Sequence, residues 1–136
     1  MSDERTTPSG HTILLVDDNM DFLTVNRSQL EERGFNVLCA ESAKAAEEVL
    51  AAHHVDLAIV DMMLEHMDSG LVLCYHIKKN KSQVPVILVS AVASETGIEI
   101  DAATDEERSW VKADVMLTKP VRFEQLAREI DRLLEE

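Results

Sequence analysis

The sequence predicts a doubly wound α/β domain built around a parallel sheet. Three observations carry that expectation. Short apolar runs recur, among them Ile13-Leu14-Leu15-Val16, Leu57-Ala58-Ile59-Val60 and Val84-Pro85-Val86-Ile87-Leu88-Val89. They are apolar throughout, as strands covered on both faces must be. Between them, apolar residues return at helical spacing, so strands and helices alternate. Each run also ends in a carboxylate or hydroxyl, which a buried strand carries only where the sheet's edge meets water, metal or ligand.

Met1 to His11 is polar, with Pro8, Ser9 and Gly10, and is expected to be a flexible tail. Residues 12–136 then form the domain. Thr12 to Val16 is the first strand, Asp17-Asp18-Asn19 a turn, and Met20 to Arg33 a helix with Phe22, Val25 and Leu30 inward. Gly34 ends that helix, as glycine commonly does just past a last turn. Phe35 to Ala40 alternates enough to be an edge strand. Ser42 can cap a helix whose stripe is Ala46, Val49 and Leu50. The central strand ends at Asp61. After the loop 62–69, Gly70 opens a helix to about Lys79, with Leu73, Cys74 and Ile77 inward.

Val84 to Val89 is the next strand; Pro85 is tolerable at its beginning. Val115-Met116-Leu117 is the last, followed by Thr118, Lys119 and Pro120. The final helix starts near Arg122 and shows a firm stripe of Phe123, Leu126, Ala127, Ile130, Leu133 and Leu134. Ala91 to Lys112 breaks the rhythm: Gly97 interrupts it and its apolar positions have no clean period. Thr104-Asp105-Glu106-Glu107 resembles a capping box, so a long acidic loop and then about two helical turns carrying Trp110 are expected.

The length of 136 residues suits one domain with a real core. Lys plus Arg is 13 and Asp plus Glu is 26, giving a net charge of −13. Such a surface repels nucleic acid and anionic membranes, so neither is expected as a direct partner. No apolar run approaches the ~18 residues of a membrane span, and no signal-peptide pattern opens the chain; a cytoplasmic location is expected. Cys39 and Cys74 lack CxxC spacing and read as buried small hydrophobes. His53, His54, His66 and His76 have no partners at ligand spacing and read as surface residues. Trp110 could anchor a partner, but packing of its own turn onto the domain is the favoured reading.

In open α/β sheets, ligands bind outside the carboxyl ends of the strands. Asp17, Asp18, Asp61, Ser90 and Lys119 all stand at such ends. Alone, each has a duller reading: a solvated turn for the acidic pair, a cap for Asp61 or Ser90, a surface position for Lys119. Their conjunction at four strand ends argues for a joint role. Three carboxylates in one place repel, and a hard cation such as Mg²⁺ relieves the conflict. Lys119 and Ser90 could then hold the oxygens of a phosphoryl group, with Asp61 as the nucleophile that forms an acyl phosphate.

These residues carry a resemblance. Val16-Asp17-Asp18-Asn19, Val60-Asp61-Met62-Met63-Leu64, Ser90-Ala91 and Lys119-Pro120 together resemble the receiver domain of two-component response regulators, across residues 12 to 135. The resemblance implies a single five-stranded parallel sheet in the order 2-1-3-4-5 with flanking helices. It implies that Asp61 takes a phosphoryl group from a histidine kinase or phosphotransfer protein. It implies that Asp18, Asp61 and the backbone carbonyl of Met63 hold Mg²⁺, that Asp17 helps through a water, and that the Lys119-Pro120 bond is cis.

The chain departs from the family pattern in places. Glu65 stands where proline is common, and Ser69 reads as an extra residue before Gly70. The interval from Ser90 to Lys119 is long, so an atypical fourth helix is expected between the fourth and fifth strands. Ser90 and Met116 occupy the switch positions, the second usually aromatic. Met63 and Val92 flank the water's approach to the phosphate; both are apolar, so a long-lived phosphorylated state is expected. Following phosphate loss against Met63→Asn combined with Val92→Glu checks this.

The expected function is a stand-alone phosphoacceptor switch that signals through protein contacts and catalyses only its own phosphorylation and dephosphorylation. An aspartyl-phosphate-type phosphatase is the enzyme alternative, but it needs an acid two residues after the nucleophile, where Met63 stands. A degenerate receiver that binds partners without phosphate is the third reading, opposed by five intact site residues.

Overall fold

The structure, a computed structural model, describes residues 10–62, 69–81, 83–90 and 113–134. Its strands are β1 (Thr12–Val16), β2 (Asn36–Ala40), β3 (Leu57–Asp61), β4 (Val86–Ser90) and β5 (Val115–Thr118). The helices between and after them are α1 (Met20–Glu32), α2 (Ala43–Ala52), α3 (Ser69–Asn80) and α4 (Phe123–Leu134). All strand pairs are parallel, in the order β2-β1-β3-β4-β5. The expected sheet is therefore found. The stretch 91–112, for which an atypical fourth helix, a capping box and a packed Trp110 are expected, lies outside the described residues.

Alternation along each strand sends neighbours to opposite faces. Leu14, Val16, Ala58, Val60, Val86 and Leu88 meet Ala46 and Leu50 of α2 and Leu73, Cys74 and Ile77 of α3. Ile13, Leu15, Leu57, Ile59, Ile87 and Val89 meet Leu23 and Leu30 of α1 and Leu126 and Ile130 of α4. Both faces of the three central strands are covered, which explains why every residue of β3 and β4 is buried.

The first helix corrects one expectation. Val25 is 55% exposed, and the inward residues are Leu23, Asn26 and Leu30. Val25 lies about 200° around the helix from Leu23, so both cannot face the sheet. The seam takes a polar residue instead: buried Asn26 donates its amide to the Phe22 carbonyl at 2.8 Å. Asn19 caps the same helix by accepting the Phe22 N–H, and Gly34 leaves it with φ of 98°.

β4 begins at Val86 rather than Val84, because the Val84 N–H closes a turn onto the Lys81 carbonyl. β5 runs on through Thr118, paired with Ser90.

The amino ends of the strands are tied by a repeated device. The Asp56 N–H donates to the Thr12 carbonyl, and its carboxylate accepts the Thr12 N–H at 2.7 Å. The Asp114 N–H donates to the Val86 carbonyl, and its carboxylate accepts the Val86 N–H at 2.9 Å. Each aspartate thus fixes the start of its own strand against a neighbour. Both also meet a basic side chain: His54 at 2.8 Å from Asp56, and Lys78 at 3.0 Å from Asp114.

Candidate functional site

Parallel register brings the carboxyl ends of the strands together. Val16 stands beside Val60, Asp61 beside Val89, and Ser90 beside Thr118. Backbone bonds beyond the ladders hold these ends in place. The Asp17 N–H donates to Ala40, Met62 to Val89, and Lys119 to Ser90, at 3.1, 2.7 and 2.8 Å. The residues that follow each strand are therefore fixed before any side chain contributes.

Helix α3 is pressed onto the end of β3. The Gly70 N–H donates to the Met62 carbonyl at 2.8 Å. A Cβ at Gly70 would collide with the Asp61 carbonyl oxygen and stand 2.6 Å from the Met62 Cα. Glycine is required there by close approach of backbone to backbone.

Carboxylate oxygens of Asp17, Asp18 and Asp61 all lie within 4.8 Å of one another. Asp17 and Asp61 are buried and Asp18 is exposed. Asp17 is held at both oxygens: Oδ1 accepts the Asn19 N–H at 2.8 Å, and Oδ2 accepts from Lys119 Nζ at 3.2 Å. The same ammonium stands 3.6 Å from Asp61 Oδ2. Among the described residues one cation thus meets two of three clustered anions, and the cluster keeps a net negative charge on hard oxygen donors. That donor set fits Mg²⁺, which takes carboxylates together with waters and phosphate oxygens.

The structure thus brings together Asp17, Asp18, Asp61 and Lys119, with Ser90 buried at the adjacent strand end. The Lys119-Pro120 bond is cis, as expected. Met116 is half-buried and packs against the α2 and α3 side of the core. Met63, Val92, Glu65 and His66 lie outside the described residues. His54 and His76 make surface links to Asp56 and Glu47. Cys74 is buried and Cys39 only half-buried.

One contact at the site was not legible in the sequence. The Lys119 ammonium lies over the Phe22 ring, 5.0 Å from its centroid. Helical periodicity marks Phe22 as inward but carries no sign of a partner almost a hundred residues away.

The chain belongs to the response regulator receiver domain family, whose model matches residues 13–131. Among curated relatives it is 34% identical over 124 residues to the heme response regulator HssR of Staphylococcus saprophyticus, covering 90% of this chain and 51% of that protein. It is 33% identical over 122 residues to HssR of Staphylococcus aureus, covering 89% of this chain and 50% of that protein. The chain therefore spans about half the length of these relatives. Among solved structures it resembles a CheY-like receiver domain protein of Methanospirillum hungatei, with a TM-score of 0.77 and 25% identity over 92% of this chain and 94% of that one. It also resembles the response regulator TrrA of Thermotoga maritima in complex with Mg(2+)-BeF, with a TM-score of 0.72 and 26% identity over 91% of this chain and 99% of that one. No helix among the described residues is long and apolar enough to cross a membrane.

Proposed function

We propose that this domain is a cytoplasmic phosphoacceptor switch in which Asp61 takes a phosphoryl group from a histidine kinase or phosphotransfer protein. The observation that carries the proposal is the Lys119 ammonium set between Asp17 and Asp61 within a three-carboxylate cluster. An Asp61 oxygen attacks the phosphorus, the bond from phosphorus to the donor's imidazole nitrogen breaks, and the imidazole leaves with that electron pair. Little covalent chemistry falls to the protein, so its contribution is positioning and charge.

Asp18 and Asp61, the Met63 carbonyl and, through water, Asp17 would hold Mg²⁺, which when bound offsets charge on the transferring oxygens. Lys119 would add its own positive charge to those oxygens, and the Ser90 hydroxyl would donate to one of them. The neighbour solved with Mg(2+)-BeF supports this assignment of the cluster. In this reading the domain acts on no separate substrate. Its phosphorylated form works through protein contacts, with Ser90 and Met116 at the switch positions. The net charge of −13 speaks against direct contact of this domain with nucleic acid.

The test is incubation with a small phosphodonor and Mg²⁺, followed by intact-mass measurement. The parent should gain one phosphate and Asp61→Asn none. Undiminished labelling of that variant would move the nucleophile elsewhere.

A further inference from the structure

We infer that Phe22 is a positioning residue for phosphoryl transfer, its ring holding the Lys119 ammonium at Asp61. The inference rests on the function proposed above. Lysine is a flexible stem with a compact, strongly hydrated head, and nothing in the side chain itself fixes that head in place. Among the described residues three contacts hold it: Asp17 at 3.2 Å, Asp61 at 3.6 Å and the Phe22 ring at 5.0 Å from the centroid. The first two change during the reaction. Asp61 gives up its charge when it forms the acyl phosphate, and Asp17 is shared with the cation site. The ring has no charge to lose and is not a metal ligand. It is the one contact of the three that the chemistry leaves unaltered.

Its placement is keyed to the same carboxylate that Lys119 meets. The Asn19 N–H donates to Asp17 Oδ1 at 2.8 Å, and Asn19 Oδ1 accepts the Phe22 N–H at 3.1 Å. Asn26 then holds the Phe22 carbonyl at 2.8 Å. Asp17 and the ring therefore sit on one hydrogen-bonded frame at the start of α1, with the ammonium between them. Phe22 is half-buried against the α1 and α4 side of the core, so its ring has packing to keep it still. Lys119 is 29% exposed, so the ring also covers a head that water would otherwise draw outward.

The test uses the full chain, phosphoramidate as donor, and saturating Mg²⁺. Phe22→Leu keeps an apolar side chain but removes the ring face. Phe22→Tyr keeps the face. Labelling of the Leu variant should slow roughly two- to fivefold, the worth of one partly exposed cation–π contact, and the Tyr variant should label like the parent. In the proton spectrum, the Lys119 ε-methylene resonances should lie upfield in parent and Tyr variant, as protons over an aromatic ring do, and move back in the Leu variant. Equal labelling of parent and Leu variant overturns the inference and leaves the function proposed above standing. Slower labelling that the Tyr variant does not restore, or that comes without the upfield signature, is a packing defect and overturns it too. Absence of labelling in the parent defeats both.

Discussion

At the amino ends of the strands, Asp56 and Asp114 each exchange two hydrogen bonds with the first residue of a neighbouring strand and meet one basic side chain. At the carboxyl ends, Asp17, Asp18 and Asp61 crowd together, and among the described residues one ammonium, that of Lys119, meets Asp17 and Asp61. The residue type is the same and both sets sit at strand termini. The difference is in how the charge is satisfied. At the amino edge every carboxylate has a donor built into the fold, so folding alone completes it. Among the described residues the carboxyl edge sets three anions against one cation, which leaves negative charge there for a ligand to offset. That imbalance, not burial, separates the two sets: Asp17 is more deeply buried than Asp56.

The largest effect expected from breaking the comparison is at the amino edge. Asp114→Ala removes one acceptor serving two donors, Lys78 Nζ and the Val86 N–H. Val86 is fully buried, so its N–H loses its partner away from water. That should cost about 2 kcal/mol of stability, read by urea unfolding, while the rate of labelling at Asp61 stays within error of the parent. A stability equal to the parent's would mean that water replaces the carboxylate at no cost, and the amino edge would lose its structural meaning.

The carboxyl edge should respond with the opposite sign. Asp18→Asn removes one of three repelling charges. Without Mg²⁺ it should leave stability unchanged or raise it by up to about 1 kcal/mol. The parent's unfolding midpoint should climb as Mg²⁺ is added, because a ligand that binds only the folded state stabilises it by mass action. The variant's should climb far less. Destabilisation of Asp18→Asn in the absence of Mg²⁺ would show that this edge, too, is completed by folding.

The contrast between the edges also marks what was legible in the sequence. Apolar runs ending in Asp17, Asp61 and Ser90 announce strands and a ligand edge, because periodicity and a terminal charge are local signals. The sheet, its flanking helices and the clustering of Asp17, Asp18, Asp61 and Lys119 follow from that pattern joined to the family resemblance. The amino-edge aspartates went unread. Asp56 and Asp114 precede their strands, and their partners lie 44 and 28 residues away, set by register rather than by neighbouring residues. The Phe22 contact with Lys119 is hidden for the same reason. Val25 was misplaced because an apolar residue near an inward stripe looks inward until Asn26 is seen to take the seam. The start of β4 was placed early because Val84 is apolar, whereas its N–H is spent on a turn.

A pH dependence is expected at the amino edge. Burial pushes the Asp56 carboxyl up, but the Thr12 N–H, the bond from His54 and the charges of His54 and His11 together outweigh it. The net result is a folded-state pKa below the ordinary carboxylate value. A group depressed in this way binds its proton more readily when the chain is unfolded. Its contribution to stability is therefore present above the unfolded value of about 3.9 and is lost as pH falls through the lower folded value. Asp56→Asn isolates the charge, since an amide oxygen can still accept the Thr12 N–H. Near pH ~7 the parent should be the more stable by on the order of 1 kcal/mol. Below about pH 4 the gap should shrink toward zero, as protonation makes the parent resemble its variant. Urea midpoints of both proteins across that range make the measurement. A gap that holds constant into strong acid would mean that Asp56 contributes through shape alone, and that its bonds to Thr12 and His54 owe nothing to ionisation.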